Sequence, residues 1–188
     1  MLAINHRGSA GYGDAIATVH AGQFEPVADI IASAQFLRTL GSVDAGRLGI
    51  IGFSAGGYWT SLTLGRAPGV FRAAVDFFGP SDLLHAAQTP AGRAVYEPFL
   101  GSPTEHEAEY RQASPITYVS QIATPLLIVH GTSDRVVLFD QSQRLYDALR
   151  AAGKPVQFLR MTGGHGFEGT ENATAFETAA VFLAKYLR

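Results

Sequence analysis

The sequence predicts an α/β fold in which a mostly parallel sheet of about five strands has helices on both faces. Short, almost continuously apolar segments alternate with longer segments whose apolar residues recur at helical spacing. Most of the 21 glycines fall in short clusters between these segments, where tight strand-to-helix turns need small residues. Strands that are apolar on both faces are typical of a parallel sheet that is covered on both sides.

The first half of the chain is predicted to alternate strands and helices. Residues 2–5 are expected to end a first strand, which runs into the glycine-rich loop 8–13. Residues 26–40 are expected to form a helix, because their apolar residues recur at intervals of three and four. Residues 47–53 hold an apolar run of strand length, and the small residues after it begin a helix at 55–64.

The second half continues the alternation after one irregular stretch. Residues 71–78 are predicted to be a strand, which a Gly-Pro pair ends. Residues 81–120 hold four of the nine prolines and no clean period, which predicts short helices and loops that form a lid or cap-like insertion. Residues 125–129 read as a fully apolar buried strand, and residues 141–152 as a helix that Gly153 stops. The last strand and the last helix are predicted at 156–161 and 174–187.

Size and composition limit the possible functions. At 188 residues the chain is expected to be one domain, residues 1–188. A formal net charge of -2 argues against a nucleic-acid partner, because no basic stripe is present to neutralise phosphates. The absence of cysteine excludes disulfides and thiol catalysis. No apolar run approaches membrane-spanning length and the N-terminus lacks the order of a signal peptide, so we expect a cytoplasmic protein with no membrane partner.

A candidate nucleophile stands at the end of the strand predicted at 47–53. The run Gly52-Phe53-Ser54-Ala55-Gly56 has the G-x-S-x-G pattern of a nucleophile elbow, between a strand and a helix. The serine of such a turn has a strained backbone, and its neighbours must be small to avoid clashes. The alternative is a glycine-rich turn without chemistry.

A serine nucleophile needs a base and an acid that orients the base. In a parallel sheet these partners should lie in loops after later strands. His165, flanked by glycines after the strand at 156–161, and Asp134, after the strand at 125–129, fit this expectation. The order Ser54, Asp134, His165 is that of an α/β-hydrolase.

Each partner has a competitor in the sequence. His130 also follows a strand, but packing is its more ordinary role. Asp82 is the alternative acid, since the loop after residues 71–78 can also reach the histidine. Asp29 is expected to be a cap or a buried hydrogen-bond partner, and Asp140 opens a helix, where the helix dipole explains a carboxylate.

Aromatic residues near the elbow are candidates for an apolar acyl pocket, although such residues are more often simply core. The candidates are Tyr58, Trp59, Phe77, Phe78, Tyr96 and Phe99.

Six segments, in order along nearly the whole chain, resemble the catalytic domain of the prolyl oligopeptidase family of serine hydrolases, especially its acylaminoacyl-peptidase-like branch. They are residues 5–13, 43–50, 52–56, 113–116, 130–136 and 164–167. The resemblance implies a truncated α/β-hydrolase fold with Ser54, Asp134 and His165 as its catalytic triad. It implies no metal or organic cofactor.

The chain also departs from this family. The β-propeller and the first strands are missing, as is the His-Gly-Gly type loop that supplies one oxyanion donor. The backbone N–H of Ala55 is then the one donor that matches the family, and Tyr12 in the glycine-rich loop is a conceivable replacement for the other. The missing strand would lie between residues 2–5 and 47–53, so we expect either that these strands close up or that a second copy covers the exposed edge as a homodimer.

These observations favour a serine esterase, carboxylesterase-like, that cleaves small acyl esters through an acyl-enzyme. Ala55, where family peptidases often have tyrosine, resembles small-molecule esterases in this position. A peptidase that acts on short peptides or amides is one alternative. A weakly active or inactive hydrolase-derived binding or assembly module is the other.

Overall fold

The computed structural model describes residues 1–13 and 25–188. Strands and helices alternate along most of this part of the chain. The strands are β1 (Gly49–Phe53), β2 (Ala73–Phe77), β3 (Leu126–Gly131) and β4 (Val156–Met161). The helices are α1 (Glu25–Thr39), α2 (Ala55–Arg66), α3 (Leu83–Ala86), α4 (Pro90–Leu100), α5 (Glu107–Ala113), α6 (Phe139–Ala151) and α7 (Gly169–Tyr186), with a 3₁₀ helix at Pro115–Gln121.

The four strands form one parallel sheet in the order β1-β2-β3-β4. Successive side chains of a strand point to opposite faces, and each face of this sheet packs on helices. On one face Ala74, Leu126 and Ile128 meet α1, α2 and α6. On the other face Val75, Leu127 and Val129 meet α7. The predicted α/β architecture with helices on both faces is therefore confirmed.

The predicted first strand is wrong. Residues 2–5 have no regular secondary structure, so the described residues hold four strands rather than about five. A strand needs a neighbour with which to pair its backbone, and these residues do not close up on β1. β1 is consequently an edge strand, and its Ile51 and Phe53 are exposed.

The last two helices begin earlier than their apolar periodicity predicts. α7 begins at Gly169 rather than at residue 174, and α6 begins at Phe139 rather than at residue 141. The first turn of α7 consists of Gly169, Thr170, Glu171 and Asn172, none of which contributes to an apolar stripe. Periodicity therefore marks the part of a helix that packs, and not its first turn.

The segment at residues 81–120 covers one end of the sheet with three short helices and the 3₁₀ helix. Leu83, Ala87, Tyr110 and Ala113 form a small core of their own, against which Tyr58 of α2 packs. Its role as a lid stays a prediction. In the described parts of the chain, no helix is both long and apolar enough to cross a bilayer.

Candidate active site

Ser54 lies in the sharp turn between β1 and α2. Its φ of 53° and ψ of -117° are unusual for a residue with a side chain, and its N–H donates to the carbonyl of Phe77 on the neighbouring strand. A Cβ atom on Gly52 would lie 2.1 Å from the carbonyl oxygen of Gly56, so residue 52 must be glycine. A Cβ on Gly56 would meet nothing within 4 Å. Steric overlap thus explains why the first glycine of the motif cannot carry a side chain. The same explanation does not apply to the second glycine, because a Cβ there would have open space.

Three loops bring Ser54, His165 and Asp134 together. The Ser54 hydroxyl donates to Nε2 of His165 at 2.9 Å, and Nδ1 of His165 donates to Oδ2 of Asp134 at 2.8 Å. The Asp134 side chain is fully buried, while 22% of the His165 side chain is exposed. A hydroxyl bonded to an imidazole whose other nitrogen is held by a carboxylate can lose its proton to that imidazole as it attacks an electrophile.

Asp134 accepts hydrogen bonds on both oxygens. Oδ1 accepts the backbone N–H groups of Val136 and Val137 at 2.8 and 3.1 Å. Oδ2 accepts from His165 and, at 3.1 Å, from Nε2 of His130. His130 therefore does more than the packing expected of it, because its ring also contacts the carboxylate beside the candidate base.

The other aspartates have different partners. Asp82 caps α3 by accepting the N–H of His85 and pairs with Arg144. Asp29 pairs with Arg7, which holds the pKa of the Asp29 carboxyl below its usual range. Asp140 of α6 lies 2.7 Å from Nε2 of His85.

Ala55 is the first residue of α2, so its N–H has no acceptor within the helix. This N–H lies at the positive end of the helix dipole, where an anionic oxygen is stabilised. Tyr12, the candidate second donor, lies in an exposed loop, and its hydroxyl accepts from Nδ2 of Asn5 at 2.6 Å. Its proposed role in the oxyanion hole stays a prediction.

A cavity of about 700 Å³ opens beside Ser54, within the usual size range of small-molecule sites. Its floor and one wall come from α2, α3 and α4, and another wall comes from residues 135–138 in the loop after Asp134. Four of the six aromatic candidates line it. They are Tyr58, Trp59, Tyr96 and Phe99.

Phe77 and Phe78 are not among the residues that line this cavity, and the predicted role of Phe78 in a substrate pocket stays a prediction. Phe78 follows β2 with a φ of 46° and is buried. Its ring lies 4.7 Å from the ring of His165, centroid to centroid, and packs against the ring of Phe167. Phe78 thus packs against the imidazole of the candidate base.

Asp76 is a buried polar residue whose role the sequence did not predict. It lies in the middle strand β2, where Ser61 Oγ donates to Oδ2 at 2.5 Å and the N–H of Gly79 donates to Oδ1 at 2.8 Å. Complete burial raises its pKa from 3.8 to about 6, and the two hydrogen bonds oppose this shift. The sequence does contain a signal, because Asp76 is the one charged residue in the apolar segment 71–78 apart from Arg72 near its start.

Within residues 1–13 and 25–188, no group of three or more His, Asp or Glu side chains is arranged to hold a metal ion.

Comparison with known proteins gives the family. The sequence matches the prolyl oligopeptidase family over residues 1–188. The chain belongs to the prolyl oligopeptidase family. This is a family of hydrolases, and the resemblance seen in the sequence is confirmed.

Two relatives, one of them an aminopeptidase by name, match nearly the same share of their length. The chain is 31% identical to dipeptidyl aminopeptidase BIII of Pseudoxanthomonas mexicana, over 100% of this chain and 29% of the relative. It is 28% identical to the acylamino-acid-releasing enzyme of Sus scrofa, over 100% of this chain and 27% of the relative.

Solved structures of the family have the same fold. A puromycin-hydrolyzing peptidase of Mycobacterium tuberculosis superposes with a TM-score of 0.89 and 34% identity, over 97% of this chain and 29% of that one. The acylaminoacyl peptidase of Pyrococcus horikoshii gives a TM-score of 0.87 and 28% identity, over 97% and 32%. The chain therefore spans less than a third of the length of each of these relatives.

Proposed function

We propose that this chain is a serine peptidase that cleaves short peptides or amides through an acyl-enzyme. The observation that carries the proposal is the continuous series of hydrogen bonds from Ser54 through His165 to Asp134, at 2.9 and 2.8 Å, beside a cavity large enough to hold a peptide side chain. Similarity to a dipeptidyl aminopeptidase and to two solved peptidases supports an amide rather than an ester as the substrate.

The proposed reaction has two halves. Ser54 Oγ attacks the scissile carbonyl while Nε2 of His165 takes the hydroxyl proton, and Asp134 stabilises the resulting imidazolium through Nδ1–H. The Ala55 N–H stabilises the oxygen that becomes anionic. The tetrahedral intermediate then collapses, the C–N bond breaks, and His165 returns the proton to the leaving amine. A water molecule, activated by the same imidazole, hydrolyses the acyl-enzyme and restores Ser54.

The cavity favours an acyl-side residue with a large apolar side chain. Leu83, Val95, Tyr96, Phe99 and Leu100 contribute apolar surface to it. Burial of such a side chain contributes about 1.5–3 kcal/mol to binding. We therefore expect dipeptide arylamides with an aromatic or aliphatic residue next to the scissile bond to be better substrates than glycine arylamides.

The test has two stages. A fluorophosphonate probe should label the wild-type protein and leave Ser54→Ala unlabelled, whereas Asp134→Asn should react about 10⁴-fold more slowly. Dipeptide arylamides and short-chain p-nitrophenyl esters then separate peptidase from esterase by their kcat/KM values. A wild-type protein that stays unlabelled, under conditions that label a known serine esterase, would contradict the enzyme proposal.

A small-ester esterase is the second candidate, and the observation that favours it is Ala55, a small residue after the nucleophile. Cleavage of the esters without cleavage of any arylamide would favour it. The third candidate is a binding or assembly module. The observation that favours it is the missing loop that would supply the second oxyanion donor, since loss of one donor costs about 10²–10³ in rate. The cytoplasmic location and the homodimer stay predictions.

A further inference from the structure

A second imidazole contacts the carboxylate of Asp134. His130, near the end of β3, is completely buried, and its Nε2 lies 3.1 Å from Oδ2 of Asp134 and 3.0 Å from the carbonyl oxygen of Val137. Its Nδ1 lies 2.7 Å from Oγ of Ser142 on α6. A hydroxyl, an imidazole and the carboxylate thus repeat, on the far side of Asp134, the arrangement of Ser54 and His165.

These partners fix which nitrogen of His130 carries the proton. Nε2 faces two groups that only accept hydrogen bonds, so it must carry the hydrogen. Burial lowers the pKa of His130, which keeps the ring neutral. Nδ1 therefore has a free lone pair and accepts the hydrogen bond of the Ser142 hydroxyl.

The neutral ring holds two parts of the site at once. Nε2–H binds the same carboxylate oxygen that orients His165, so it limits rotation of the Asp134 side chain. It also binds Val137, which lies in the loop that forms one wall of the cavity. Ser142 connects this arrangement to α6.

We propose that His130 is a positioning residue, which acts through Asp134 to align His165 with Ser54 and keeps residues 135–138 against the cavity. This inference rests on the proposed function, because it assigns His130 a role in the same reaction.

The role predicts a change in pH dependence as well as in rate. A donor on Oδ2 withdraws negative charge from the carboxylate, and removal of the donor makes Asp134 a stronger partner for a protonated His165. The base then stays protonated up to a higher pH, so the acidic limb of the rate profile moves upward. Groups that face His130 include the titratable Asp134 and His165, with Ser142 and the rings of Phe139 and Phe78 as its neutral neighbours.

Two variants separate the hydrogen bond from the ring. Both His130→Gln and His130→Asn lose the aromatic ring. The glutamine amide reaches about as far as Nε2 and can still donate to Asp134, whereas the asparagine amide reaches only about as far as Nδ1. His106→Asn is the control, because His106 is a half-exposed histidine on the segment before α5.

The measurement is the second-order rate of fluorophosphonate labelling of Ser54 between pH 5 and pH 9. We expect His130→Asn to react on the order of 10- to 100-fold more slowly, because a misplacement of ~1 Å can cost ~10²-fold. Its acidic limb should move to higher pH, while His130→Gln and His106→Asn keep the wild-type limb. A purely structural role would reduce the fraction of protein labelled and leave the rate constant and the limb unchanged.

The outcomes are distinct. A wild type that is not labelled contradicts the proposed function, whereas a labelled wild type with an unchanged rate and limb in His130→Asn overturns the positioning role alone. Should His130→Asn fail to fold, long-range ¹H–¹⁵N correlation spectra of the wild type decide. A neutral His130 ring protonated at Nε2 at pH 7 supports the proposal, and the other tautomer or a charged ring overturns it.

Discussion

At the scale of the residue, the turn at Ser54 depends on the absence of a side chain at Gly52. We expect Gly52→Ala to destabilise the protein by at least about 1–3 kcal/mol, because its Cβ would overlap the backbone of Gly56 and backbone cannot move aside as a side chain can. Gly56→Ala is the matched control, since that Cβ meets nothing within 4 Å and alanine favours the helix by up to ~1 kcal/mol. Urea denaturation measures both. Equal loss of stability in the two variants would contradict this steric explanation.

Asp76 makes a second prediction at this scale. Burial raises its pKa to about 6, so the folded protein binds this proton more tightly than the unfolded chain does. The resulting stability is fully present below about pH 3.8, the value for an exposed aspartate, and is lost as the pH rises through about 6. An asparagine can accept from Gly79 and donate to Ser61 without any charge.

We therefore expect the stability of Asp76→Asn relative to the wild type to increase by about 1–2 kcal/mol between pH 5 and pH 8. Urea denaturation at the two pH values measures it. The exposed Asp147→Asn serves as control and should show no such change. A constant difference between Asp76→Asn and the wild type would show that Asp76 has the same proton affinity in the folded and unfolded states.

Some contacts between single residues of the site could be predicted from the sequence, and others could not. Ser54, Asp134 and His165 could be predicted to meet, because each follows a strand and parallel strands end at one edge. The contact of His130 with Asp134 could not be predicted, because it depends on the path of the loop to Val137 and on the placement of α6. The local sequence pattern therefore predicts which residues follow the strands. Tertiary packing determines which further side chains contact those residues.

At the scale of the element, α4 offers a way to change the cavity without changing the triad. Val95 lines the cavity and is half-exposed, and its neighbour Ala94 does not line it. We expect Val95→Trp to raise KM by about 10-fold for substrates with a bulky aromatic acyl residue, since loss of part of a buried side chain's contact is worth about 1–3 kcal/mol. Fluorophosphonate labelling should be unaffected.

Ala94→Trp is the matched control for this prediction, because it adds the same side chain to the same helix outside the cavity. Kinetics with a phenylalanyl and an alanyl arylamide measure the effect. If both variants, or neither, discriminate against the bulky substrate, then α4 does not form the substrate wall.

Elements differed in how well the sequence predicted them. β3 could be predicted because its residues 126–129 are all apolar. β4 could be predicted because Gly153 and Pro155, which end the preceding helix, come just before it. Residues 2–5 have a similar apolar character and yet form no strand. A strand forms only where its backbone hydrogen-bonds to a neighbouring strand, and residues 2–5 do not pair with β1.

At the scale of the whole molecule, the two edges of the sheet differ in chemistry. β4 carries Gln157 and Arg160, and a charge on an edge strand discourages pairing with other chains. β1 carries no charged residue, and Ile51 and Phe53 are exposed on it. Within the described residues nothing pairs with its outer edge, which is the reason to expect a homodimer through β1.

Sedimentation velocity tests this expectation. The wild type should sediment as a dimer and Ile51→Lys as a monomer, because a lysine on the edge of β1 would have to be buried in the interface. Gln157→Lys on β4 should leave the dimer intact. A wild-type monomer, or a dimer that survives Ile51→Lys, would contradict a dimer through β1.

The two walls of the cavity differ in their relation to the triad. The loop at residues 135–138 directly follows Asp134 and donates two backbone N–H groups to its carboxylate, so a mutation there risks altering the triad. α4 also lines the cavity, but it carries no triad residue. We therefore expect homologues of this domain to differ in sequence along α4, where substrate specificity can change, and to keep the loop at residues 134–138. On the proposed function, libraries that randomise α4 alone would retain more active clones than libraries that randomise residues 135–138.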